Sequence, residues 1–327
     1  MDKIKSFVSV ILFTFDADAV IMRASALLLL YTQTAAMSRI KENFTRGELM
    51  KHAYYTFPDG TTNYFDRMEL AVQYGCDGIE YLNNRDLSEP SMELAYRLRE
   101  RSDKLGLACP CFSMWAAVME DPVASVRQIK AYMDMAEVLG APYFHHTYGP
   151  ALEGQGPADY MKVALQVARE TAAYAAERGM LLLTEPQGLS MNGVEVLREY
   201  FDEMGDMAGM VLDTGNVLES NDSNEQLLDA LGHKVRHVHI KDMITRKTPP
   251  TFPDEDWRVC RDGSVARQTV VGQGELDLSA ILSRLKALDY NGWFALEYNA
   301  PERFEKYYPI SVQNFSTLYK QVYGQDK

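Results

Sequence analysis

The chain has few cysteines and no surplus of positive charge. Its four cysteines (Cys76, Cys109, Cys111 and Cys260) form neither a disulfide framework nor a CxxC pair, which suits a reducing compartment. Lys and Arg number 33 against 46 for Asp and Glu, so the net charge of −13 disfavours broad binding to nucleic acid or anionic lipid. Any metal site must then be built mainly from His, Asp and Glu side chains.

Nucleotide-binding motifs and long hydrophobic runs are also missing. No GxGxxG follows the first predicted strand and no Walker loop occurs, so no nucleotide cofactor is expected. Asp16, Asp18 and Arg23 interrupt the apolar runs of residues 1–36 before these reach the ~18–20 residues of a spanning helix. We expect a cytoplasmic protein that binds no membrane, with a short signal-like segment from Met22 as the alternative.

The first part of the chain differs from the rest. Met37 opens an ordinary polar stretch, and no repeat of the later pattern begins before about residue 50. We therefore predict an N-terminal extension over residues 1–48 and one domain over residues 49–327.

From residue 50 onwards, helical segments that end in glycine alternate with short apolar runs. The predicted helix 161–178 illustrates the pattern, since one face carries Met161, Leu165, Ala168, Ala172 and Ala175 and a glycine follows its end. The apolar runs predict eight strands: HAYYTF, CDGIEYL, LACPCF, APYFHH, MLLLTEP, MVLDTG, HKVRHVHIKD and WFALEYN. The alternation predicts an α/β fold.

Residues capable of chemistry lie at the carboxyl end of nearly every predicted strand. They are Glu80, Ser113, His145, His146, Glu185, Asp213, His239 and Glu297. In a (β/α)8 TIM barrel all of these ends meet at one mouth, whereas an open sheet brings together only those near its switch point. The placement therefore favours a single-domain barrel, with a long loop after its seventh strand.

Four of these residues form a candidate metal site: Glu185, Asp213, His239 and Glu297. Three carboxylates and one imidazole suit Mn²⁺, Mg²⁺, Co²⁺ or Zn²⁺, with Mn²⁺ favoured, and leave positions open for substrate. Buried together without a cation, they would repel one another. Each residue alone would more often be a helix cap or a salt-bridge partner.

The stretches DGIEYL, LLLTEP, VLDTGN, VRHVHIKD and VGQGELDLSAILSRLKALDYNGWFALEYN, with the four residues in this order, resemble the xylose isomerase-like TIM barrels over about residues 50–300. That family includes sugar isomerases and epimerases, inosose dehydratases and endonuclease IV. The resemblance implies one divalent ion on the quartet, with Glu185 and Glu297 also acting as acid and base. Many members carry a histidine where Asn216 stands, which weakens a multi-zinc endonuclease interpretation.

A divalent-metal-dependent sugar or ketose isomerase or epimerase is therefore the main hypothesis, working by proton transfer through a metal-stabilised enediolate. A dehydratase or lyase acting on a keto-sugar, inosose or oxidised glycoside is the alternative. Endonuclease-like hydrolysis and a non-catalytic sugar-binding subunit are less favoured. The expected partner is a small sugar or polyol.

Further substrate contacts are expected around the mouth. Glu80 is a candidate for a substrate hydroxyl or a neighbouring cation, and Asn216 is another candidate contact. Strand alternation places only one of His145 and His146 in the mouth. His237 is a candidate hydrogen-bond partner of the metal site or part of an interior polar layer.

The segment after the seventh strand, residues 243–272, is longer than an ordinary connection and rich in proline and charge. It is a candidate lid, with Arg246, Trp257 and Arg258 as substrate contacts. The competing interpretation is a docking loop for another copy of the chain or for a partner subunit. For Lys241 and Asp242 we expect an ion pair or a loop anchor rather than catalysis.

Overall fold

A computed structural model describes residues 50–55, 63–248, 257–298 and 304–324. The predicted extension over residues 1–48 lies outside the described residues. The strands are β1 (Lys51–Tyr55), β2 (Gly78–Leu82), β3 (Phe112–Met114), β4 (Tyr143–His146), β5 (Leu181–Thr184), β6 (Ala208–Asp213), β7 (Val235–Ile240), β8 (Asp242–Arg246), β9 (Arg258–Val259), β10 (Val265–Thr269) and β11 (Trp293–Leu296).

Eight of these strands close into a parallel barrel in the order β1, β11, β7, β6, β5, β4, β3, β2. The closing pair β1 and β11 places Ala53 beside Ala295, and the pair β6 and β7 places Asp213 beside His239. Every barrel strand is almost completely buried, as expected when helices cover a parallel sheet. The predicted (β/α)8 barrel is confirmed.

The barrel strands are followed by helices that cover their outer faces. The α-helices are α1 (Tyr64–Gln73), α2 (Met92–Leu105), α3 (Pro122–Leu139), α4 (Pro157–Glu177), α5 (Val194–Met204), α6 (Asn224–Leu231), α7 (Leu278–Ala287) and α8 (Phe304–Tyr323). None of the helices in the described residues is long and apolar enough to cross a membrane.

Helix α4 covers residues 161–177 of the helix predicted over residues 161–178. It begins earlier, at Pro157, because proline is favoured in the first turn, where its missing N–H costs no hydrogen bond. All five residues of the predicted apolar face are buried. Gly179 follows with a φ of +71°, a conformation that side chains with a Cβ rarely adopt. The glycine signal therefore marked the end of this helix correctly.

The third barrel strand lies further along the chain than the run LACPCF predicted. Strand β3 begins at Phe112, and before it only a single bridge joins Ala108 to Gly78. Pro110 lies between them and has no N–H to donate to a neighbouring strand, so regular pairing begins beyond it.

The segment after β7 contains a small antiparallel sheet rather than only a loop. Strands β8, β10 and β9 pair in that order, while residues 249–256 of the segment lie outside the described residues. Met243, Cys260 and Ala266 form a small apolar cluster beneath the sheet. The pairing was not predicted because short charged strands separated by proline carry little hydrophobic pattern.

Asp242 anchors the chain that follows this sheet. Its carboxylate accepts hydrogen bonds from the backbone N–H groups of Met243, Gly272, Gly274 and Leu276, at 2.9 to 3.3 Å. A Cβ on Gly274 would lie 2.0 Å from Oδ1 of Asp242. The glycine is therefore required by the close approach of the backbone to this carboxylate, and the loop-anchor interpretation of Asp242 agrees with these contacts.

We expect Gly274→Ala to lower the free energy of unfolding by at least about 2 kcal/mol, because the methyl group must push the loop away from Asp242. Urea denaturation measures the change. Gly156→Ala is the matched control. Gly156 has open space around it and a φ of −75°, so this substitution should lower the free energy of unfolding by less than about 1 kcal/mol. Equal effects of the two substitutions would contradict the anchoring role.

Candidate metal centre and active site

The structure brings the four candidate metal ligands together at the carboxyl end of the barrel. Glu185 follows β5, Asp213 ends β6, His239 lies in β7 and Glu297 follows β11. All four residues are buried, and one ligand atom from each lies within 4.8 Å of those of the others. They meet because neighbouring parallel strands end at the same edge.

His239 lies between the three carboxylates of the quartet and the carboxylate of Glu80. Its Nδ1 is 2.7 Å from Oε1 of Glu185, 3.6 Å from Oε2 of Glu297 and 3.9 Å from Oδ2 of Asp213. Its Nε2 is 3.1 and 3.2 Å from the two carboxylate oxygens of Glu80. The imidazole therefore presents Nδ1 to the quartet and Nε2 to Glu80.

Glu80 is the centre of a buried hydrogen-bond network beneath the quartet. Besides His239, it accepts from the Ser113 hydroxyl and lies 2.7 Å from Nε2 of His237. Burial disfavours its charge, yet His239 and His237 hold the pKa of Glu80 below its usual value. Glu80 therefore remains a carboxylate and orients His239, the candidate metal ligand. His237 donates to Glu80, which is one of the two roles considered for it.

The quartet fits a divalent cation. Oδ1 of Asp213 accepts from the N–H groups of Gly215 and Asn216, which leaves Oδ2 on the side of His239. An imidazole whose far nitrogen donates to a carboxylate is the usual arrangement of histidine ligands to metals. Three carboxylates and one such imidazole form a donor set suited to a hard or borderline divalent ion.

The acid–base properties of the quartet are shaped by burial. Burial raises the pKa of Glu185 to about 7, against the opposing effect of His239. Burial lowers the pKa of His239, but the carboxylates of Glu80 and Glu185 outweigh this effect and hold that pKa well above the usual value. Strongly shifted carboxyl groups of this kind are typical of sites that transfer protons.

The two neighbouring histidines of β4 face opposite sides of the strand. Nδ1 of His145 is 3.1 Å from the Ser113 hydroxyl, and its Nε2 is 3.9 Å from Oε2 of Glu185. His146 instead faces helix α4, with Nε2 3.3 Å from the hydroxyl of Thr171. Strand alternation thus directs His145 towards the quartet and His146 away from it, so a direct substrate contact by His146 conflicts with its position.

Lys241 lies among the quartet carboxylates. Its Nζ is 2.7 Å from Oδ2 of Asp213 and 2.9 Å from Oε1 of Glu297, so Lys241 forms ion pairs with two residues of the quartet, partners that the sequence did not indicate. The oxygen of the Asn216 side chain is 3.2 Å from the same Nζ. Arg258 reaches this oxygen at 3.4 Å and pairs with Glu219 at 3.1 Å. Asn216 and Arg258 therefore lie beside the quartet.

Arg246 and Trp257 lie on or beside the small sheet, away from the quartet. The guanidinium carbons of Arg246 and Arg267 lie 4.8 and 5.0 Å from the centroid of the Trp257 ring. Within the described part of the chain, no contact joins Arg246 or Trp257 to the quartet. Gln268 does reach it, because its side-chain amide donates to the carbonyl of Glu297.

Tyr55 was missed as a site residue. It ends β1, and its ring centroid lies 4.8 Å from that of His239. Burial and then Glu297, Glu80 and Glu185 raise the pKa of its hydroxyl well above the usual value, so it stays protonated. Its position at the end of the first strand was the available signal, but a tyrosine in an aromatic run is typical of a core.

The fold and the quartet together define a TIM barrel with a candidate site for a divalent metal ion, and comparison with known proteins agrees on the fold. A family model described as xylose isomerase-like TIM barrel matches residues 68–316. The chain belongs to this family.

Two curated relatives match parts of the chain. An inosose dehydratase from Geobacillus thermodenitrificans is 26% identical over 125 residues, which cover 38% of this chain and 42% of the relative. A putative hydroxypyruvate isomerase from Streptomyces coelicolor is 28% identical over 201 residues, 57% of this chain and 60% of the relative. The chain therefore spans about half the length of these curated relatives.

Solved structures with the same fold include proteins that bind metals. A xylose isomerase domain protein from Planctomyces limnophilus has a TM-score of 0.69 and 18% identity, and the match covers 85% of this chain and 100% of that protein's chain. The IOLI protein with a bound zinc atom has a TM-score of 0.66, 20% identity and coverage of 84% and 98%. A family protein from Mycobacterium smegmatis in complex with magnesium has a TM-score of 0.65, 16% identity and coverage of 84% and 97%.

The Glu80 network generates a prediction about metal affinity. We expect Glu80→Ala to weaken the binding of Mn²⁺ by about 10- to 100-fold, because His239 loses the carboxylate that orients it. Isothermal titration calorimetry measures the affinity, and far-UV circular dichroism checks the fold. His146→Asn is the matched control, since His146 faces α4, and it should leave the affinity unchanged. An equal loss in both variants would contradict the orienting role.

Proposed function

We propose that this protein is a metal-dependent isomerase or epimerase that moves a proton at a carbon next to the carbonyl of a sugar or ketose. The observation that carries the proposal is the buried quartet, in which Glu185 and Glu297 both face Nδ1 of His239. The similarity to a relative named as a putative hydroxypyruvate isomerase supports it. When bound there, a divalent ion would act as a Lewis acid on two neighbouring substrate oxygens.

Glu185 and Glu297 have the positions of a base and an acid on different walls of the barrel. Their strands, β5 and β11, are separated by β6 and β7. Each carboxylate reaches the space beside Nδ1 of His239 from its own wall, so each can take a proton from a substrate bound between them or return one to it. Proton removal by one carboxylate and return by the other to the opposite face epimerises a carbon. Return to the adjacent carbon, with a proton also passing from the substrate hydroxyl to the former carbonyl oxygen, isomerises the sugar.

His145 is suited to bind a substrate hydroxyl. Burial lowers the pKa of His145 to about 3, so the ring is neutral. Because Ser113 donates its proton to Glu80, its oxygen accepts from Nδ1–H of His145, which leaves a lone pair on Nε2. Within the described residues that buried Nε2 has no hydrogen-bond partner. A substrate hydroxyl near Glu185 would supply one.

A dehydratase acting through the same site is the second candidate. It is favoured by the similarity to inosose dehydratases from three organisms. In this reaction Glu185 or Glu297 removes the proton next to the carbonyl and the hydroxyl on the following carbon leaves as water. The same carboxyl pair supplies both proton transfers, so the substrate decides between the two outcomes.

The two candidates are distinguished by product analysis in deuterated water with hydroxypyruvate and an inosose as probe substrates. Both reactions can exchange the proton next to the carbonyl for deuterium. Only a dehydratase yields a product smaller by one water, which mass spectrometry detects. We expect exchange without loss of water, and a dehydrated product would favour the second candidate.

We expect Glu185→Gln and Glu297→Gln each to lower turnover by at least ~10²-fold, because an amide cannot take or return the proton. Steady-state kinetics measures the loss, with circular dichroism as the check on the fold. Glu153→Gln, on an exposed loop after β4, is the matched control and should retain full activity. Near-normal turnover in either quartet variant would refute the acid–base role of that residue.

Metal content tests the same site independently. Protein purified without chelators should contain about one divalent ion per chain by elemental analysis, because the quartet supplies one donor set. A chelator should remove both the ion and the activity, and added Mn²⁺ should restore them. Failure to bind any divalent ion, with Mn²⁺, Mg²⁺, Co²⁺ and Zn²⁺ each supplied, would refute the proposal.

A further inference from the structure

Lys241 is held in place at the end of β7 by the neighbouring strand. The backbone N–H of Lys241 donates to the Thr214 hydroxyl at 2.9 Å. That hydroxyl in turn donates to the backbone carbonyl of Lys241 at 2.7 Å. A Cβ on Gly215 would lie 2.9 Å from the Cβ of Lys241, so the lysine packs directly against a residue without a side chain. The start of the lysine side chain is therefore fixed beside Asp213.

The ammonium group ends among the oxygens that would bind the metal. Lys241 is only 4% exposed, and its Nζ contacts Asp213, Glu297 and the side-chain oxygen of Asn216. A buried lysine needs such partners, because an unpaired ammonium is costly to remove from water. These contacts account for its burial, but they also place a positive charge where a cation is expected to bind.

The oxygens of Asp213 are divided between the backbone and the site. Oδ1 accepts from two backbone N–H groups at 2.9 Å, whereas Oδ2 lies 2.7 Å from Nζ of Lys241. Only Oδ2 faces His239, so a metal on the quartet would take this oxygen from Asp213. Glu297 differs, since its Oε2 faces His239 while Oε1 faces the lysine.

We propose that the ammonium of Lys241 competes with the divalent ion for Oδ2 of Asp213. In the metal-free protein it offsets part of the repulsion among three buried carboxylates. When an ion binds, the lysine releases Asp213 and keeps its contacts with Glu297 and Asn216. This inference rests on the proposed metal site, and it makes Lys241 a positioning residue that limits metal affinity.

The test measures metal affinity rather than activity. We expect Lys241→Met to bind Mn²⁺ about 10-fold more tightly than the natural protein, because a like charge a few ångströms from the ion is removed. The same variant should have a lower melting temperature without metal and a larger rise on adding Mn²⁺. Calorimetric titration and thermal unfolding with and without Mn²⁺ measure these changes.

Two further variants sharpen the test. Lys241→Gln also removes the charge but keeps a polar side chain, so it should tighten binding even if the methionine variant folds poorly. Lys234→Met is the matched control. Lys234 lies just before β7 and is also buried, but its ammonium group donates to the carbonyl of Gly205 instead of contacting the quartet. Its substitution should leave the Mn²⁺ affinity unchanged.

Unchanged or weaker Mn²⁺ affinity in a folded Lys241 variant would overturn the competition while leaving the metal site in place. If the natural protein and both Lys241 variants bind no divalent ion, the metal site and the inference fail together. The two failures are therefore distinguishable.

Discussion

Three carboxylates are buried together at one end of the barrel, and the arrangement around them follows from the need to offset their charge. Glu185, Asp213 and Glu297 surround Nδ1 of His239, and Lys241 contacts two of them. Buried charges of one sign are costly unless paired or bound to a cation. The backbone N–H groups that hold Asp213 meet part of this requirement, and the proposed divalent ion would meet the remainder.

The barrel makes this arrangement rigid. His239 and Glu80 are separated by 159 positions in the chain, yet they share two short contacts because β7 and β2 line the same interior. Ser113 and His145 extend the same network around the interior wall. The proposed proton transfer would benefit from such fixed partners, since the donors and acceptors need no rearrangement when charge moves.

The small sheet contacts the site through residues of its strands. Asp242 gathers the backbone of residues 272–276, and Gln268 of β10 contacts the carbonyl of Glu297. Arg258 of β9 reaches Asn216 beside Lys241. The segment that the sequence indicated as a lid thus helps to position one wall of the site, and its described strands are paired with one another.

The sequence by itself indicated the order of the barrel strands and of the helices between them, the barrel and the four residues of the quartet, because helix-terminating glycines, apolar periodicity and strand-end positions are local signals. It also indicated that only one of His145 and His146 faces inwards. Which histidine does so, that Glu80 orients His239, and that Lys241 takes one oxygen of Asp213 were decided only by the tertiary structure. Those contacts depend on side-chain direction and on residues far apart in the chain, and no local pattern records either.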